Sequence, residues 1–505
     1  MSEHANPFQI DGETLVQQGA AALDLLAEHF KTIAEKSIVA SPAPGELASQ
    51  FKGLPSEVAR PFQDLLSDIQ HKIMPGITHW QHPGFFAYYP STSSTPAILA
   101  EMILSGLGVV GLQWSASPIA TELEVVVMDW LMKMMHAPID SPFLHTSRKG
   151  GGLIQNTAGE AMVVVMTAAR IAKHMERKGQ TTLEGMTPND VDSLYYADSS
   201  KLVVYISDQA HFSGEKAARV AGMKIRKIPA RILDHGNLGI DARDVEPYIK
   251  QDKADGLIPC LVFLTYGSTN TCGFDDIGSF ERLATQENLW IHVDAAYAGA
   301  SLILPEFKKE ALAIQETATS FNFNGSKWFL SGFDSAFLFV KDRQWFKNTF
   351  AADGAYLAST EGEGVYNPEF RDWAVPLGRR FRSLRIWMVL EYFGTDSLQE
   401  FLRGAIHQAD WLRQKIDQAP QFEHVFETNL GLVCFRLSQP LENKTADFVE
   451  ALKNAGGKYL VYPSRHGGRP FIRVALGGVH TTKSHVEEFW ELCLSSVDQL
   501  KNSPP

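Results

Sequence analysis

The chain has 505 residues, of which 45% are hydrophobic and 21% are charged. This composition is ordinary for a folded enzyme and excludes a mainly disordered chain, and the length fits roughly three domains or one large α/β core with smaller satellites. The formal net charge of −12 argues against a nucleic-acid binder that works through a basic surface.

Two amphipathic helices are predicted before residue 85. Apolar residues at helical spacing predict one helix from residue 12 to about 36, which ends before two prolines and a glycine in segment 41–47. A second helix is predicted from about 58 to 73. Two helices without strands cannot bury both apolar faces alone, so residues 1–84 are interpreted as an arm that packs on another surface, for which a second subunit is one candidate.

Short apolar runs alternate with helical runs between residues 85 and 350. The runs 202–206, 260–265, 289–293 and 336–340 are typical of buried strands. Such alternation predicts an α/β fold with a mostly parallel sheet covered by helices. We therefore expect a large α/β domain over residues 85–379.

The remainder of the chain is predicted to form a small α+β domain over residues 380–505. Its pattern is helical to residue 418, then gives strands near 432–437 and 471–475 and a final helix from about 483. The most apolar stretch of the whole chain, 95–112, is interrupted by Glu101, which favours a core helix over a membrane span.

The cysteines are scattered without CxxC spacing, at Cys260, Cys272, Cys434 and Cys493. We therefore expect neither a zinc site nor a disulfide framework, and a reducing compartment. The first residues carry no basic segment followed by an apolar one, so no signal peptide is predicted. The expected protein is soluble and cytoplasmic, without a nucleic-acid or membrane partner.

Lys327 and Asp294 are the strongest candidates for chemistry. Lys327 lies among aromatic residues in FNFNGSKWFL (321–330), where a lowered pKa would make its amine a nucleophile; the alternative is a lysine that keeps its ammonium in water. Asp294 ends the apolar run in LWIHVDAAYAG (289–299). This position is typical of a residue at a ligand-binding sheet edge, and the alternative is a helix cap. A pyridoxal cofactor needs both, a lysine for the imine and a carboxylate that keeps the pyridine nitrogen protonated.

Two further segments add to this pattern. In GGGLIQNTAGEAMVVV (150–165), Thr157 and Glu160 fit a capping box, and the helix start offers free N–H groups for a phosphate; an ordinary capped helix is the alternative. The segment is neither a Walker A sequence nor a GxGxxG fingerprint. His211 follows the predicted strand 202–206, where its ring could stack on a cofactor or have a structural role.

These segments give the chain a resemblance to a known family. Together with ITHWQHPGFFAYYPSTSS (77–94), SDQAHFS (207–213) and VPLGRRFRSLRIW (375–387), they resemble the aromatic L-amino acid decarboxylases, which are group II pyridoxal-phosphate-dependent decarboxylases. The resemblance covers nearly the whole chain. It implies the type I fold of pyridoxal-phosphate enzymes, pyridoxal 5'-phosphate as cofactor, and a homodimer with exchanged N-terminal arms and shared active sites.

The resemblance also implies roles for individual residues. Lys327 forms the Schiff base with the cofactor, Asp294 bonds the pyridine nitrogen, and His211 stacks on the ring opposite Ala296. The phosphate and the ring substituents are held by Thr157, Ala158, Gly159, Asn324 and Thr269. The pocket for an aromatic side chain, partly built across the dimer interface, takes Trp80, Tyr88, Pro90, Ser91, Val110 and Leu112.

Tyr356, in the polar segment 351–364 that is expected to be a mobile loop, resembles the family tyrosine that protonates the substrate carbon in the neighbouring site. With Tyr356 and His211 present, the resemblance favours simple decarboxylation to an amine. The alternative is an aromatic acetaldehyde synthase, which also deaminates its substrate oxidatively. A binding protein without turnover is disfavoured because the catalytic set is complete.

The substrate is expected to be tryptophan, 5-hydroxytryptophan, tyrosine, phenylalanine or DOPA, which would become an arylalkylamine and CO₂. Gly378 permits tryptophan without selecting it. The chain departs from the family pattern at Gly325 and Ser326, where many relatives carry Pro-His directly before the lysine. That departure bears on substrate range and on the hold on the cofactor, although Ser326 can still donate a hydrogen bond.

Overall fold

The computed structural model describes residues 8–51, 53–183, 186–197, 199–351, 364–454 and 457–502. The helices of its first part are α1 Gly12–Thr32, α2 Phe62–Asp68, α3 Thr95–Leu107 and α4 Pro118–Met134. The first predicted helix is confirmed, and Oδ2 of Asp11 caps it by accepting the Thr14 N–H at 2.7 Å. The second begins later than predicted, because the residue before Pro61 is disfavoured in helical backbone.

The strands lie between residues 151 and 475. In the larger part of the chain they are β1 Gly151–Gln155, β2 Leu202–Ser207, β3 Lys224–Ile228, β4 Arg231–Ile232, β5 Leu238–Gly239, β6 Ile258–Thr265, β7 Trp290–Asp294, β8 Ser320–Asn324 and β9 Ala336–Val340. In the C-terminal part they are β10 Phe422–His424, β11 Leu432–Leu437, β12 Tyr462–His466 and β13 Arg469–Ala475.

Helices alternate with these strands. They are α5 Ala158–Arg177, α6 Pro188–Tyr195, α7 Phe212–Val220, α8 Ala242–Ala254, α9 Phe280–Glu287, α10 Lys308–Thr317, α11 Gly325–Trp328, α12 Gln344–Phe350, α13 Ser383–Gln418, α14 Thr445–Asn454 and α15 Lys483–Asn502. The predicted long helix before residue 418 is present as α13, with a break at Gly394, whose φ is 66°.

The main sheet has the order β1-β9-β8-β7-β6-β2-β3. Strands β3, β2, β6, β7 and β8 run parallel, whereas β9 is antiparallel to both of its neighbours. Every residue of β2, β7 and β9 is buried, because helices cover both faces. The predicted strands of this sheet are therefore confirmed, and the sheet is mostly parallel as expected.

The C-terminal part forms a second sheet of order β10-β11-β13-β12, packed with α13, α14 and α15. Its predicted strands and final helix are confirmed. The domain boundaries at residues 84 and 379 stay predictions.

Two further sequence expectations concern helices and cysteines. Among the helices that the structure describes, none combines the length and the apolar character that crossing a membrane requires. Helix α3 buries one face, through Ala97, Ala100 and Leu104, and ends at Gly108 in the left-handed conformation. The four cysteines are free and buried.

The topology brings the candidate residues to one edge of the main sheet. Parallel strands present their carboxyl ends at the same edge. His211, Thr269 and Lys327 lie in the segments that follow β2, β6 and β8, and Asp294 is the last residue of β7. Strand β1 is antiparallel to β9, which is antiparallel to β8, so β1 has the direction of β8. The start of α5 after β1 therefore lies at this edge as well.

Candidate active site

A cavity of about 680 Å³ opens at this edge of the sheet. The predicted site residues in its wall are Trp80, Tyr88, Pro90, Ser91, His211, Thr269, Asn324 and Lys327. Trp80 and Tyr88 stack with their ring centroids 5.3 Å apart and form an aromatic side of the cavity. Four of the cofactor candidates, His211, Thr269, Asn324 and Lys327, thus share this cavity with four substrate candidates.

Lys327 lies on the short helix α11, which follows β8 without a loop. Its Nζ is 5.4 Å from the centroid of the buried Tyr89 ring. Burial lowers the pKa of Lys327, an effect that the Asp294 carboxylate opposes and the nearby positive charge of Arg473 reinforces. The amine is therefore easier to deprotonate than an ordinary lysine, as nucleophilic attack requires.

Asp294 is the last residue of β7, and only 4% of it is exposed. Its Oδ1 accepts the backbone N–H of Ala296 at 3.0 Å and the Nδ2–H of Asn322 at 3.3 Å. Burial raises the pKa of the Asp294 carboxyl, while Lys327 and these two donors lower it. A buried carboxylate of this kind favours a positively charged N–H as its partner.

His211 is the N-cap residue of α7. Its Nδ1 accepts the Ser213 N–H at 3.3 Å and lies 2.6 Å from the Ser213 hydroxyl. Burial lowers the pKa of His211 despite the opposing charge of Asp294. The ring is therefore a neutral imidazole whose Nε2 carries the proton, held in the cavity wall by its own helix start.

The start of α5 forms half of a capping box and lies beside the turn of His211. Thr157 Oγ1 accepts the Glu160 N–H at 3.2 Å, as the predicted capping box requires. The Glu160 carboxylate bonds the Asn156 N–H at 3.1 Å instead of the Thr157 N–H, so only half of the box forms. A Cβ on Gly159 would lie 4.0 Å from the Ser213 Cβ, which places this helix start beside the turn that carries His211.

Asn324 provides a test of whether a cofactor fits. Its Oδ1 is buried and has no hydrogen-bond partner in the described part of the chain, although the residue lines the cavity. Leaving a buried acceptor without a hydrogen bond costs about 1–3 kcal/mol of stability, so a donor on a bound group would stabilise this atom. A polar acceptor, a carboxylate, an amine, a flat imidazole and a helix start at one sheet edge fit pyridoxal phosphate.

Arg473 is a site residue that the sequence reasoning missed. It lies on β13, is 5% exposed, and donates to the carbonyl oxygens of Thr269 at 2.6 Å, Asn270 at 2.9 Å and Tyr88 at 3.1 Å. No carboxylate pairs with it within the described ranges, and it lines the cavity. A lone arginine in the apolar strand sequence FIRVAL (471–476) was the available signal.

Three predicted pocket residues lie outside the cavity of this chain. Val110 is 55% exposed and pairs with Arg380 through an isolated bridge. A Cβ on Gly378 would lie 3.7 Å from Val110 Cγ1, so these two residues share one surface patch. Leu112, two residues after Val110, is half-buried. Tyr356 lies outside the described residues.

The residues around Gly325 explain why glycine stands where many relatives carry proline. The Gly325 N–H donates to the Ser335 carbonyl at 2.8 Å, a bond that proline could not make. A Cβ at this position would lie 2.4 Å from Ser331 Oγ and 2.8 Å from the Phe337 ring. Ser326 is buried and lines the cavity next to Lys327. Glycine is thus required here by the residues around it.

The sequence matches the model of the pyridoxal-dependent decarboxylase conserved domain over residues 44–438. With that match and the geometry above, the chain belongs to the pyridoxal-dependent decarboxylase family. It is a carboxy-lyase, its cofactor is pyridoxal 5'-phosphate, and the fold class predicted from its sequence is confirmed.

Individual relatives refine this assignment. The chain is 37% identical to the aromatic-L-amino-acid decarboxylase of Sus scrofa over 94% of each chain, which confirms the resemblance seen in the sequence. It is 35% identical to the phenylacetaldehyde synthase of Arabidopsis thaliana over 97% of each chain. The crystal structure of Oryza sativa TDC with PLP and tryptamine superposes with a TM-score of 0.90 at 30% identity, covering 98% of this chain and 99% of that one.

Proposed function

We propose that the protein decarboxylates aromatic L-amino acids to arylalkylamines and CO₂. The observation that carries this proposal is that Lys327 shares its cavity with a stacked aromatic pair, Trp80 and Tyr88. A carboxylate on the substrate side chain would be buried there at a high desolvation cost, whereas an aromatic ring gains from burial. An aromatic side chain therefore suits this cavity better than that of glutamate.

When bound, pyridoxal phosphate supplies a ring that accepts the electron pair left when the Cα–carboxylate bond breaks. Asp294 holds the proton on the pyridine nitrogen, and the Asn324 oxygen accepts a hydrogen bond from a ring substituent. The N–H groups of Ala158 and Gly159 and the hydroxyl of Thr157 bind the phosphate. Thr269 lines the cavity, and its support for a cofactor role is its place in the wall.

Lys327 and Arg473 act on the amino acid end of the substrate. The neutral amine of Lys327 takes up a proton and releases it at Nζ while the substrate amine is exchanged. The buried Arg473 guanidinium attracts the α-carboxylate, since its other partners are neutral carbonyl groups. His211 and the small Ala296 would be the residues that contact the cofactor ring.

Tyr356 is proposed to deliver the proton to Cα in the neighbouring subunit's site. The support is its place in the sequence, on the polar segment 351–364 that follows Lys327. A tyrosine hydroxyl can donate that proton, whereas phenylalanine at this position cannot.

The working unit is proposed to be a cytoplasmic homodimer with exchanged arms. Helix α1 buries none of its residues, and Leu15 and Val16 are 61% and 73% exposed. Apolar surface of this extent on a helix favours a partner. Val110, Leu112 and Gly378 then reach the partner's cavity, and the free, buried cysteines support a reducing compartment.

The second candidate function is an aromatic acetaldehyde synthase, which consumes O₂ and water and releases the aldehyde, CO₂, ammonia and hydrogen peroxide. The similarity to the Arabidopsis phenylacetaldehyde synthase over 97% of each chain favours it, since that match is nearly as strong as the match to a decarboxylase. The two activities differ in the products, so a product assay separates them.

The test is a product assay on the purified holoenzyme with tryptophan, 5-hydroxytryptophan, tyrosine, phenylalanine, DOPA and glutamate supplied separately. We expect one amine per CO₂ from an aromatic substrate and no hydrogen peroxide. Aldehyde and peroxide in equal amounts would establish the synthase instead. Turnover of glutamate without turnover of any aromatic amino acid would overturn the substrate class.

A further inference from the structure

A chain of buried side-chain hydrogen bonds runs behind Asp294, across β7 and β8. The Trp290 Nε1–H donates to Ser320 Oγ at 2.8 Å, and Ser320 Oγ lies 2.9 Å from His292 Nδ1. His292 Nε2 lies 2.9 Å from Asn322 Oδ1, and Asn322 Nδ2 donates to Asp294 Oδ1 at 3.3 Å. The chain therefore ends on the carboxylate at the active site.

The strand register explains how these side chains meet. Residues two apart on a strand share a face of the sheet, which places Trp290, His292 and Asp294 together on β7. In the parallel pair, His292 is opposite Ser320, and Asp294 is opposite Asn322. His292, Ser320 and Asn322 are all 0% exposed, so water does not replace these bonds.

The two ends of the chain give its bonds one consistent set of directions. The Trp290 indole can only donate, so Ser320 Oγ accepts from it, and the ionised Asp294 can only accept, so the Asn322 amide nitrogen faces it. The Asn322 oxygen then accepts from His292 Nε2, which leaves Nδ1 of a neutral ring to accept the Ser320 hydroxyl hydrogen. Burial lowers the pKa of His292 to about 4, and the neutral ring then carries its single proton on Nε2. That N–H donates to the oxygen of Asn322, which turns the amide nitrogen toward Asp294.

We propose that His292 and Asn322, supported by Ser320 and Trp290, are positioning residues that keep the Asp294 carboxylate ionised and aimed at the pyridine nitrogen of the cofactor. If the Asn322 amide were reversed, its oxygen would face the carboxylate and repel it. The charged and titratable groups that act on Asp294 from the cavity side are Lys327 and His211. The chain of hydrogen bonds acts on Asp294 from inside the sheet.

This inference rests on the proposed contact between Asp294 and the pyridine nitrogen, and a cofactor analogue can isolate it. In 1-deaza-pyridoxal phosphate a carbon atom replaces that nitrogen, so Asp294 has nothing to bond. Apoprotein is titrated with pyridoxal phosphate and with the analogue, and the two dissociation constants are measured by absorbance. Their ratio reports the Asp294 contact and is insensitive to general loss of structure.

We expect Asn322→Ala to weaken pyridoxal phosphate about tenfold, the scale of one hydrogen bond to a charged group, and to weaken the analogue much less. His292→Phe should reduce the preference for pyridoxal phosphate in the same way. His292→Gln should restore part of it, because its amide keeps a donor for Asn322. If a variant with a larger change does not fold, the same ratio is measured for Ser320→Ala, which is the smallest change.

The matched control is Asn348→Ala on α12. Asn348 is also a buried asparagine, and its Nδ2 bonds the Met175 sulfur at 3.5 Å and the Thr181 carbonyl at 3.1 Å, with no bond to the chain behind Asp294. The Asn348→Ala variant should keep the wild-type preference for pyridoxal phosphate over the analogue. Equal weakening of both ligands by Asn322→Ala and His292→Phe would show a structural role and overturn the proposal.

Asp294→Asn separates this inference from the assignment on which it rests. If that variant loses the preference while the Asn322 and His292 variants keep it, the positioning chain is rejected and the Asp294 contact stands. If Asp294→Asn leaves the preference unchanged, the contact between Asp294 and the pyridine nitrogen is itself wrong, and the positioning role is overturned with it.

Discussion

Two opposite charges define the site at the scale of single residues. Burial drives Lys327 and Asp294 toward their neutral forms, and each opposes that shift in the other. Both residues were predicted from the sequence, because a pyridoxal site needs an amine and a carboxylate and their segments carry both. Arg473, which lowers the pKa of Lys327 further, was not predicted, because its segment lies more than a hundred residues away and shows no motif.

Replacing the amine tests the Schiff-base role. Lys327→Ala should reduce turnover on the order of 10³-fold or more, as loss of a catalytic group does, and borohydride should no longer fix the cofactor to the protein. Peptide mapping after reduction measures the second effect. Lys341→Ala is the control, since Lys341 is also buried enough for a lowered pKa but bonds the Glu316 carbonyl away from the cavity. Retained turnover in Lys327→Ala would refute the assignment.

The pKa of Lys327 makes a prediction about pH. The neutral amine is the reactive form, and a lowered pKa means that it is present at a lower pH than for an ordinary lysine near 10.4. The rate of reconstitution of apoprotein with pyridoxal phosphate should therefore rise with pH and level off below about 10.4. Stopped-flow absorbance measures this rate. A rate that still rises through that value would contradict the lowered pKa.

The dependence of cofactor affinity on pH reports Asp294. Its raised pKa means that the carboxylate becomes protonated at a higher pH than an ordinary aspartate near 3.9 does, so cofactor affinity should start to fall at that higher pH. Asn322→Ala should move the fall to still higher pH, because it removes a donor that favours the ionised form.

At the scale of elements, short apolar runs bounded by polar residues gave strand positions within a few residues, because a strand covered on both faces is mostly apolar. Helix ends were harder to predict. The start of α2 depends on Pro61, and the break in α13 depends on Gly394, where the pattern of apolar residues continues on both sides. Strand β9 also gave no sign of its direction, since apolar content does not encode pairing.

The helix that carries Lys327 depends on a glycine. Gly325→Ala should lower the free energy of unfolding by about 1–3 kcal/mol, the usual cost of overpacking, because its Cβ would lie 2.4 Å from Ser331 Oγ. Denaturant unfolding measures the change. Gly278→Ala, where nothing lies within 4 Å of the added Cβ, should stay within about 0.5 kcal/mol of wild type. Equal effects at both positions would contradict the packing argument.

For the whole molecule, helix α1 leaves apolar surface uncovered at its start and reaches the active site near its end. Leu15 and Val16 are 61% and 73% exposed, whereas His29 of the same helix and Ile33 just after it line the cavity. The arm therefore connects the proposed subunit interface with the site. The sequence predicted an arm because two amphipathic helices precede the first strand, but it could not show which surface α1 covers.

Charges on this arm should separate the subunits. The double change Leu15→Glu and Val16→Glu places two carboxylates on the apolar face, so we expect a shift from dimer to monomer with a parallel loss of activity. Analytical ultracentrifugation measures the shift. Gln17→Glu adds charge to the same helix outside this pair and should leave the dimer intact. If the double variant is as fully dimeric as the wild type, this face is not the interface.

From the sequence alone came the α/β class and the cofactor, which are confirmed, and the prediction of Lys327, Asp294 and His211 as the central residues, because these depend on continuous segments whose residue types the chemistry requires. The tertiary structure alone decided what surrounds them. Arg473 joins the wall from the C-terminal sheet, and the register of β7 with β8 aligns His292 and Asn322 behind Asp294. Distances between separate segments and the direction of a hydrogen bond follow from packing, which no local pattern of residues records.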